Sequence, residues 1–162
     1  MGTPQIRAVR PEEYDAVAEL TARVYLDEGY GSPEYEPRLR DVAGRDAAAH
    51  VLVAVLDGRI VGAVTLAPHG SDWAEAAQPG EAVIRMLAVH PDVRGAGTGE
   101  ALVRACIDLA RRLDCRLIRL STEPTMTVAH RLYERLGFTR TPADDWEPVP
   151  GVTLLGYRLE LS

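Results

Sequence analysis

The stretch VIRMLAVHPDVRGAGTGEALVRACIDLA, residues 83–110, decides how the chain is read. Its first seven residues are apolar apart from Arg85, which predicts a strand over 82–89 that His90-Pro91-Asp92 stops. Leu102, Cys106, Leu109 and Leu113 recur at i, i+4, i+7 and i+11, the spacing of one helix face, and predict a helix over 97–113. Between the two lies a loop in which Gly95, Gly97 and Gly99 alternate with Ala96 and Thr98. Glycine lacks a Cβ atom, so main chain can approach a ligand closely there. The start of a helix offers unpaired N–H groups and a partial positive charge. Strand, glycine loop and helix N-terminus in this order form a phosphate cradle, and Arg94 adds a formal charge beside it.

Two better-known phosphate motifs fit less well. A Walker A loop ends in Gly-Lys-Ser/Thr, and the chain has no Lys. A dinucleotide-binding GxGxxG starts straight after its strand, whereas residues 90–93 intervene here and the glycines stand at 95, 97 and 99.

Toward the N-terminus, 50–56 and 59–66 read as strands joined by Asp57-Gly58, the pair favoured where a type I′ hairpin turn needs positive φ twice. Residues 36–45 predict a short helix and 30–35 a loop. A longer helix runs from Pro11 to Gly29, with Glu12, Glu13 and Asp15 in its first turn, and 5–9 is an edge strand. Toward the C-terminus, 116–120 is a strand and 125–136 a helix with Val128, Leu132 and Leu136 on one stripe and Gly137 as its left-handed cap. Residues 138–141 predict a short strand, 143–151 an acidic loop and 152–161 a closing strand. The expected fold is a single mixed α/β (α+β) domain over 1–162. Its sheet would be mostly antiparallel, with about seven strands, about four helices and one central βαβ crossover.

Composition bounds the function. The net charge of -6 argues against a nucleic-acid binder. Residues 82–140 carry ten Arg against six acids, so one segment is cationic within an acidic chain, which suits a polyanionic ligand. No apolar run would cross a membrane, and the first fifteen residues lack the apolar core of a secretory signal, so a cytoplasmic protein is expected. Cys106 and Cys115 are expected as reduced thiols, and no Cys/His spacing suggests a metal site.

Arg94-Gly95-Ala96-Gly97-Thr98-Gly99 resembles the Arg/Gln-x-x-Gly-x-Gly/Ala motif of the GNAT superfamily of N-acetyltransferases. Residues 129–138, AHRLYERLGF, resemble that family's Ala-x-x-Leu-Tyr-x-x-Leu-Gly-Phe. The element order is also that of the family fold. The resemblance implies acetyl-CoA as cofactor. Main chain of Leu87, Ala88 and Val89 would pair with the pantetheine arm where this strand splays from 116–120. Amides from Gly95, Ala96, Gly97, Thr98, Gly99 and Glu100 would take the pyrophosphate, with Arg94 at the entrance. A strand N–H would polarise the thioester carbonyl.

Tyr133 is the expected general acid, since a phenol can protonate a departing thiolate. For the base, strand alternation puts Val83, Arg85, Leu87 and Val89 on one face, with Glu81 there too if the strand extends. Glu81 is the first candidate and Glu123 the second, and a water chain serving no single residue stands level with them. Met126 stands where many relatives have Asn, so a polar contact to the pantetheine falls away or passes to Thr125 or Thr127. By the same resemblance, the acceptor would meet Tyr25, Asp27, Glu28, Tyr30 and Tyr35 from the first helices, and Asp144, Asp145 and Trp146 from the loop before the last strand. Acids with aromatics suit an ammonium group, and Arg85 suits a carboxylate. The expected partner is a small zwitterionic or amine metabolite or a peptide N-terminus, with a homodimer through the closing strand and acidic loop left open. A coenzyme A-binding module without catalysis is the alternative reading.

Overall fold

The computed structural model describes residues 2–29 and 33–161. Among the described residues, eight strands, β1 (Gln5–Ala8), β2 (His50–Leu56), β3 (Arg59–Pro68), β4 (Glu81–Val89), β5 (Leu117–Thr122), β6 (Thr139–Arg140), β7 (Trp146–Val149) and β8 (Val152–Glu160), are interleaved with five α-helices. These are α1 (Tyr14–Asp27), α2 (Glu36–Arg40), α3 (Val42–Ala48), α4 (Thr98–Arg112) and α5 (Thr127–Arg135). The sheet order is β1-β2-β3-β4-β5-β8-β6, with β7 paired to β8. Every pairing is antiparallel except β4 with β5, which α4 connects as the central crossover.

The period-two pattern of the strands sorts side chains to two helical layers. Val51 and Val53 pack with Val17 of α1 and Val42 of α3, while Ala54 and Leu56 pack with Leu102 and Cys106 of α4. Asp57 and Gly58 sit at φ 51° and 74°, as a type I′ turn requires. Gly137 follows α5 at φ 96° as its left-handed cap.

Four local expectations need correction. The single helix expected over 36–45 is two, because Asp41 leaves helical geometry and its carboxylate accepts the Gly44 N–H at 2.9 Å, starting α3 anew. The loop expected over 143–151 contains β7, an irregular edge strand whose Pro148 is tolerated there because an edge leaves N–H groups unpaired. On α4 the buried stripe is Leu102, Val103, Cys106, Ile107 and Ala110, and Leu113, 40% exposed, has turned away at the helix end. On α5 the buried residues are Leu132 and Tyr133, while Val128 is 76% exposed.

Candidate active site

The site begins where the sheet comes apart. Pairing between β4 and β5 runs from Glu81 opposite Leu117 to Ile84 opposite Leu120 and ends there. Beyond that rung β4 keeps its other partner, with Ala88 opposite Ala63 and Val89 opposite Gly62 on β3, while β5 keeps β8 as far as Thr122 opposite Leu155. The two strands therefore diverge, and among the described residues no strand pairs with Arg85 to Val89 of β4 on its β5 side.

A bulge sits at the point of divergence. Between Arg85 and Ala88, β4 advances three residues while β3 advances two, from Thr65 to Ala63. The extra residue is taken up at Met86, which has φ 58°. This breaks the alternation expected from sequence. Val83 and Met86 pack toward α2 with Trp73, and Ala88 packs against Leu20 and Val24 of α1. Leu87 and Val89 join Ala82 and Ile84 on the side of α4 and α5. Arg85 and Leu87, expected on one face, lie on opposite faces.

The glycine loop closes one end of this opening. Gly95 and Gly97 adopt φ 83° and 84°, and a Cβ at either would meet nothing within 4 Å, so only backbone conformation calls for glycine. Gly97 is the N-cap of α4. Among the described residues, the N–H groups of Gly95, Gly97, Thr98, Gly99 and Glu100 have no hydrogen-bond partner, while that of Ala96 is spent on the Val93 carbonyl at 3.3 Å. Five free donors at the start of a fifteen-residue helix fit a pyrophosphate. Arg94 spans the entrance, donating to the Val89 carbonyl at 3.2 and 3.3 Å and pairing with Glu28. Glu28, expected beside the acceptor, thus stands on the cofactor side.

Tyr133 is buried in the same cluster as Leu87 and Val89, between Phe138 and Tyr157 with ring centroids at 5.7 and 6.1 Å. Its hydroxyl has no hydrogen bond among the described residues. Burial, and then nearby Cys106, push the phenol above its ordinary range, so it stays protonated at neutral pH. Tyr25, from the other side of the sheet, is likewise raised, first by burial and next by its closeness to Tyr133.

Glu81, the first candidate base, stands at the start of β4. It lies about 16 Å from Met86 at about 3.3 Å per residue, in the closed part of the ladder. Its carboxylate accepts from Arg119 at 2.6 Å, Arg116 at 3.1 Å and the Gln78 N–H at 2.9 Å. Burial works to raise its carboxyl, but the Arg119 and Gln78 hydrogen bonds and the two arginine charges outweigh it and hold the group below the usual range. Glu123 follows β5, and its carbonyl lies 3.0 Å from His130 Nε2. At Met126 the sulfur accepts from the Thr122 hydroxyl at 3.4 Å.

On the acceptor side, Arg85 donates to the Tyr35 hydroxyl at 2.6 Å and the Trp73 carbonyl at 3.1 Å. Trp146, 49% exposed on β7, reaches Ser121 Oγ near the end of β5 at 3.4 Å. Asp144 and Asp145 are occupied by Arg158 and Arg140, at 2.6 Å each. Tyr30 lies outside the described residues. Trp73, Arg38 and Arg45 were not singled out from the sequence. A lone tryptophan in the polar stretch 69–80 was the one available signal.

A parted βαβ pair with an amide cradle at the helix start defines an acyl-CoA N-acyltransferase fold. Residues 14–138 match the acetyltransferase (GNAT) family, and the chain belongs to it. That family uses acetyl-CoA. The chain is 35% identical over 147 residues to the mycothiol acetyltransferase of Sanguibacter keddieii, covering 86% of this chain and 44% of that protein. It is 34% identical over 102 residues to the N-acetylaspartate synthetase of Rattus norvegicus, covering 63% of this chain and 32% of that one. It thus spans less than half the length of these curated relatives. The PaiA N-acetyltransferase of Thermoplasma acidophilum, solved with coenzyme A, superposes with a TM-score of 0.75 at 15% identity, covering 99% of this chain and 100% of that one. Among the described residues no helix is long and apolar enough to cross a membrane.

Proposed function

We propose that the protein transfers the acetyl group of acetyl-CoA to the primary amine of a small metabolite or a peptide, with both substrates held together and Tyr133 as proton donor. The observation that carries this reading is the parting of β4 from β5 after Ile84, with free amides at one end and an unpartnered phenol against it.

Main chain of Leu87, Ala88 and Val89 lies along the parted edge of β4 and suits the pantetheine arm as a missing strand would. Amides of Gly95 and of Gly97 to Glu100 suit the pyrophosphate, and Arg94 can turn from Glu28 to an anion because both lie at the surface. Bound in this place, acetyl-CoA supplies an activated acetyl thioester. An amide at the Met86 bulge suits the carbonyl oxygen, since a donor fixed in place needs no reorganisation as charge builds. The Tyr133 hydroxyl is protonated and free to give its proton to a sulfur leaving group. The incoming amine releases its proton through water, because Glu81 is held by arginines in the closed part of the sheet.

The names of the relatives, an N-acetylaspartate synthetase and a mycothiol acetyltransferase, support acetyl transfer. The test is thiol release from acetyl-CoA against a panel of primary amines. Turnover with intersecting initial-velocity lines is expected, as both substrates must be bound at once. Turnover only of non-amine acceptors would remove the reading.

A further inference from the structure

Three guanidinium groups surround one indole beside the acceptor side of the opening. The Cζ atoms of Arg38, Arg85 and Arg45 lie 4.4, 5.3 and 5.6 Å from the Trp73 ring centroid. Arg38 is exposed and pairs loosely with Glu75 at 4.0 Å. The other two differ. Arg45 is 1% exposed and Arg85 half-buried, and neither forms an ion pair with a described carboxylate. Arg45 donates to the Arg38 carbonyl at 2.7 Å, and its Nε has no partner among the described residues. Asp46, the next residue, accepts from the Tyr14 hydroxyl, and Asp41 gives its side chain to the Gly44 N–H.

Two neighbouring positive charges, one fully buried, are costly without an anion. Burial, followed by the Arg85 charge, lowers Arg45 to about 10. A purely structural role is met more cheaply by an apolar side chain of similar size. The location indicates what compensates them. Arg85 is the residue next to the Met86 bulge, at the first position beyond the last β4–β5 rung. Tyr25 packs against the cluster that holds Trp73 and Met86, on the face where Arg85 meets Trp73 and Tyr35.

We infer that Arg85, backed by the buried Arg45 and framed by Trp73 and Tyr35, binds a carboxylate of the acceptor, so that the acceptor class is an amino acid or a similar amine bearing a carboxylate. The inference rests on the amine-acetylation reading, which it narrows. The carboxylate takes the donors of Arg85 not used by Trp73 and Tyr35, and the positive field of Arg45 holds it.

The chain has two tryptophans, so Trp146→Phe leaves Trp73 as the only indole emitter. In that background the probes are amino acids paired with their decarboxylated amines: tyrosine with tyramine, ornithine with putrescine, glutamate with γ-aminobutyrate as a one-carboxylate control. Trp73 emission is titrated with each, and thiol release from acetyl-CoA is measured in parallel on the chain that keeps Trp146. The amino acid of a productive pair is expected to bind at least about tenfold more tightly than its amine. Arg85→Gln should shrink that preference to within about threefold, and Arg85→Lys should keep part of it, since charge survives without the planar fork. Arg45→Met should lose preference while thermal stability holds or rises. A loss of stability with preference intact would make Arg45 structural and overturn the inference. Equal binding of both members of every pair would overturn it as well. Carboxylate-selective quenching without thiol release supports the anion site and removes the acetyl-transfer reading. Amine turnover without carboxylate preference does the opposite.

Discussion

Ile84 stands opposite Leu120 in the last rung between β4 and β5, and everything assigned to the site lies beyond that rung. The bulge at Met86 follows two residues later and turns β4 without breaking its contact with β3. Met86 is buried at φ 58°, a conformation a β-branched side chain tolerates poorly. Met86→Val is therefore expected to cost about 2–3 kcal/mol from backbone strain and lost packing together. Denaturant unfolding measures the stability change. The same variant should raise KM for acetyl-CoA.

Gly97 separates two effects that usually travel together. A methyl group there meets no protein atom within 4 Å, so Gly97→Ala carries no internal clash. Its stability cost is that of a left-handed alanine, about 1 kcal/mol. Its binding cost should be larger, about tenfold or more, because the methyl enters the space above the free amides where a phosphate would sit. Comparing thermal midpoints with acetyl-CoA affinity checks the order of the two.

Removing the Tyr133 hydroxyl tests its chemistry with little structural disturbance, because it makes no hydrogen bond among the described residues. Tyr133→Phe is expected to change stability by less than about 0.5 kcal/mol and to lower kcat about 100-fold with acetyl-CoA affinity kept. Unchanged kcat would take the phenol out of the mechanism.

Acid sensitivity should come in part from the N-terminal turn. Glu13 accepts from both Arg7 terminal nitrogens, at 2.8 and 2.7 Å, and from the Arg10 N–H at 2.8 Å. The Arg7 hydrogen bonds hold its carboxyl down at about 2, against an ordinary 4.5, although burial opposes them. A carboxyl depressed by folding contributes stability above its unfolded value and loses it as pH falls toward the folded one. The contribution should be intact at pH 7 and decline between about pH 4.5 and 2. Glu13→Gln should flatten that part of the stability–pH curve, as followed by chemical denaturation.

Much of this was legible in the sequence, for physical reasons that can be named. The Asp57-Gly58 turn, the limits of β2 and the Gly137 cap were readable because each depends on local backbone chemistry alone. The glycine loop leading into α4 was readable because glycine spacing and a helix start lie within seven residues. The bulge was not: Met86 carries no mark of positive φ, and one added residue inverted the facing of Leu87 and Val89 relative to Arg85. Glu81 looked available because its partners, Arg119 on β5 and Arg116 just before it, lie more than thirty residues away in sequence. The arginine cluster was hidden for the same reason, since Arg38, Arg45, Trp73 and Arg85 meet only through the fold.

The central claim is that the parted strands and the amides from Gly95 to Glu100 grip coenzyme A. Calorimetric titration of the wild-type chain with acetyl-CoA tests it most directly. One site per chain is predicted, with binding weakened by at least about tenfold in Gly97→Ala. Absence of any binding heat at several temperatures, together with no thermal stabilisation at saturating acetyl-CoA, would contradict it.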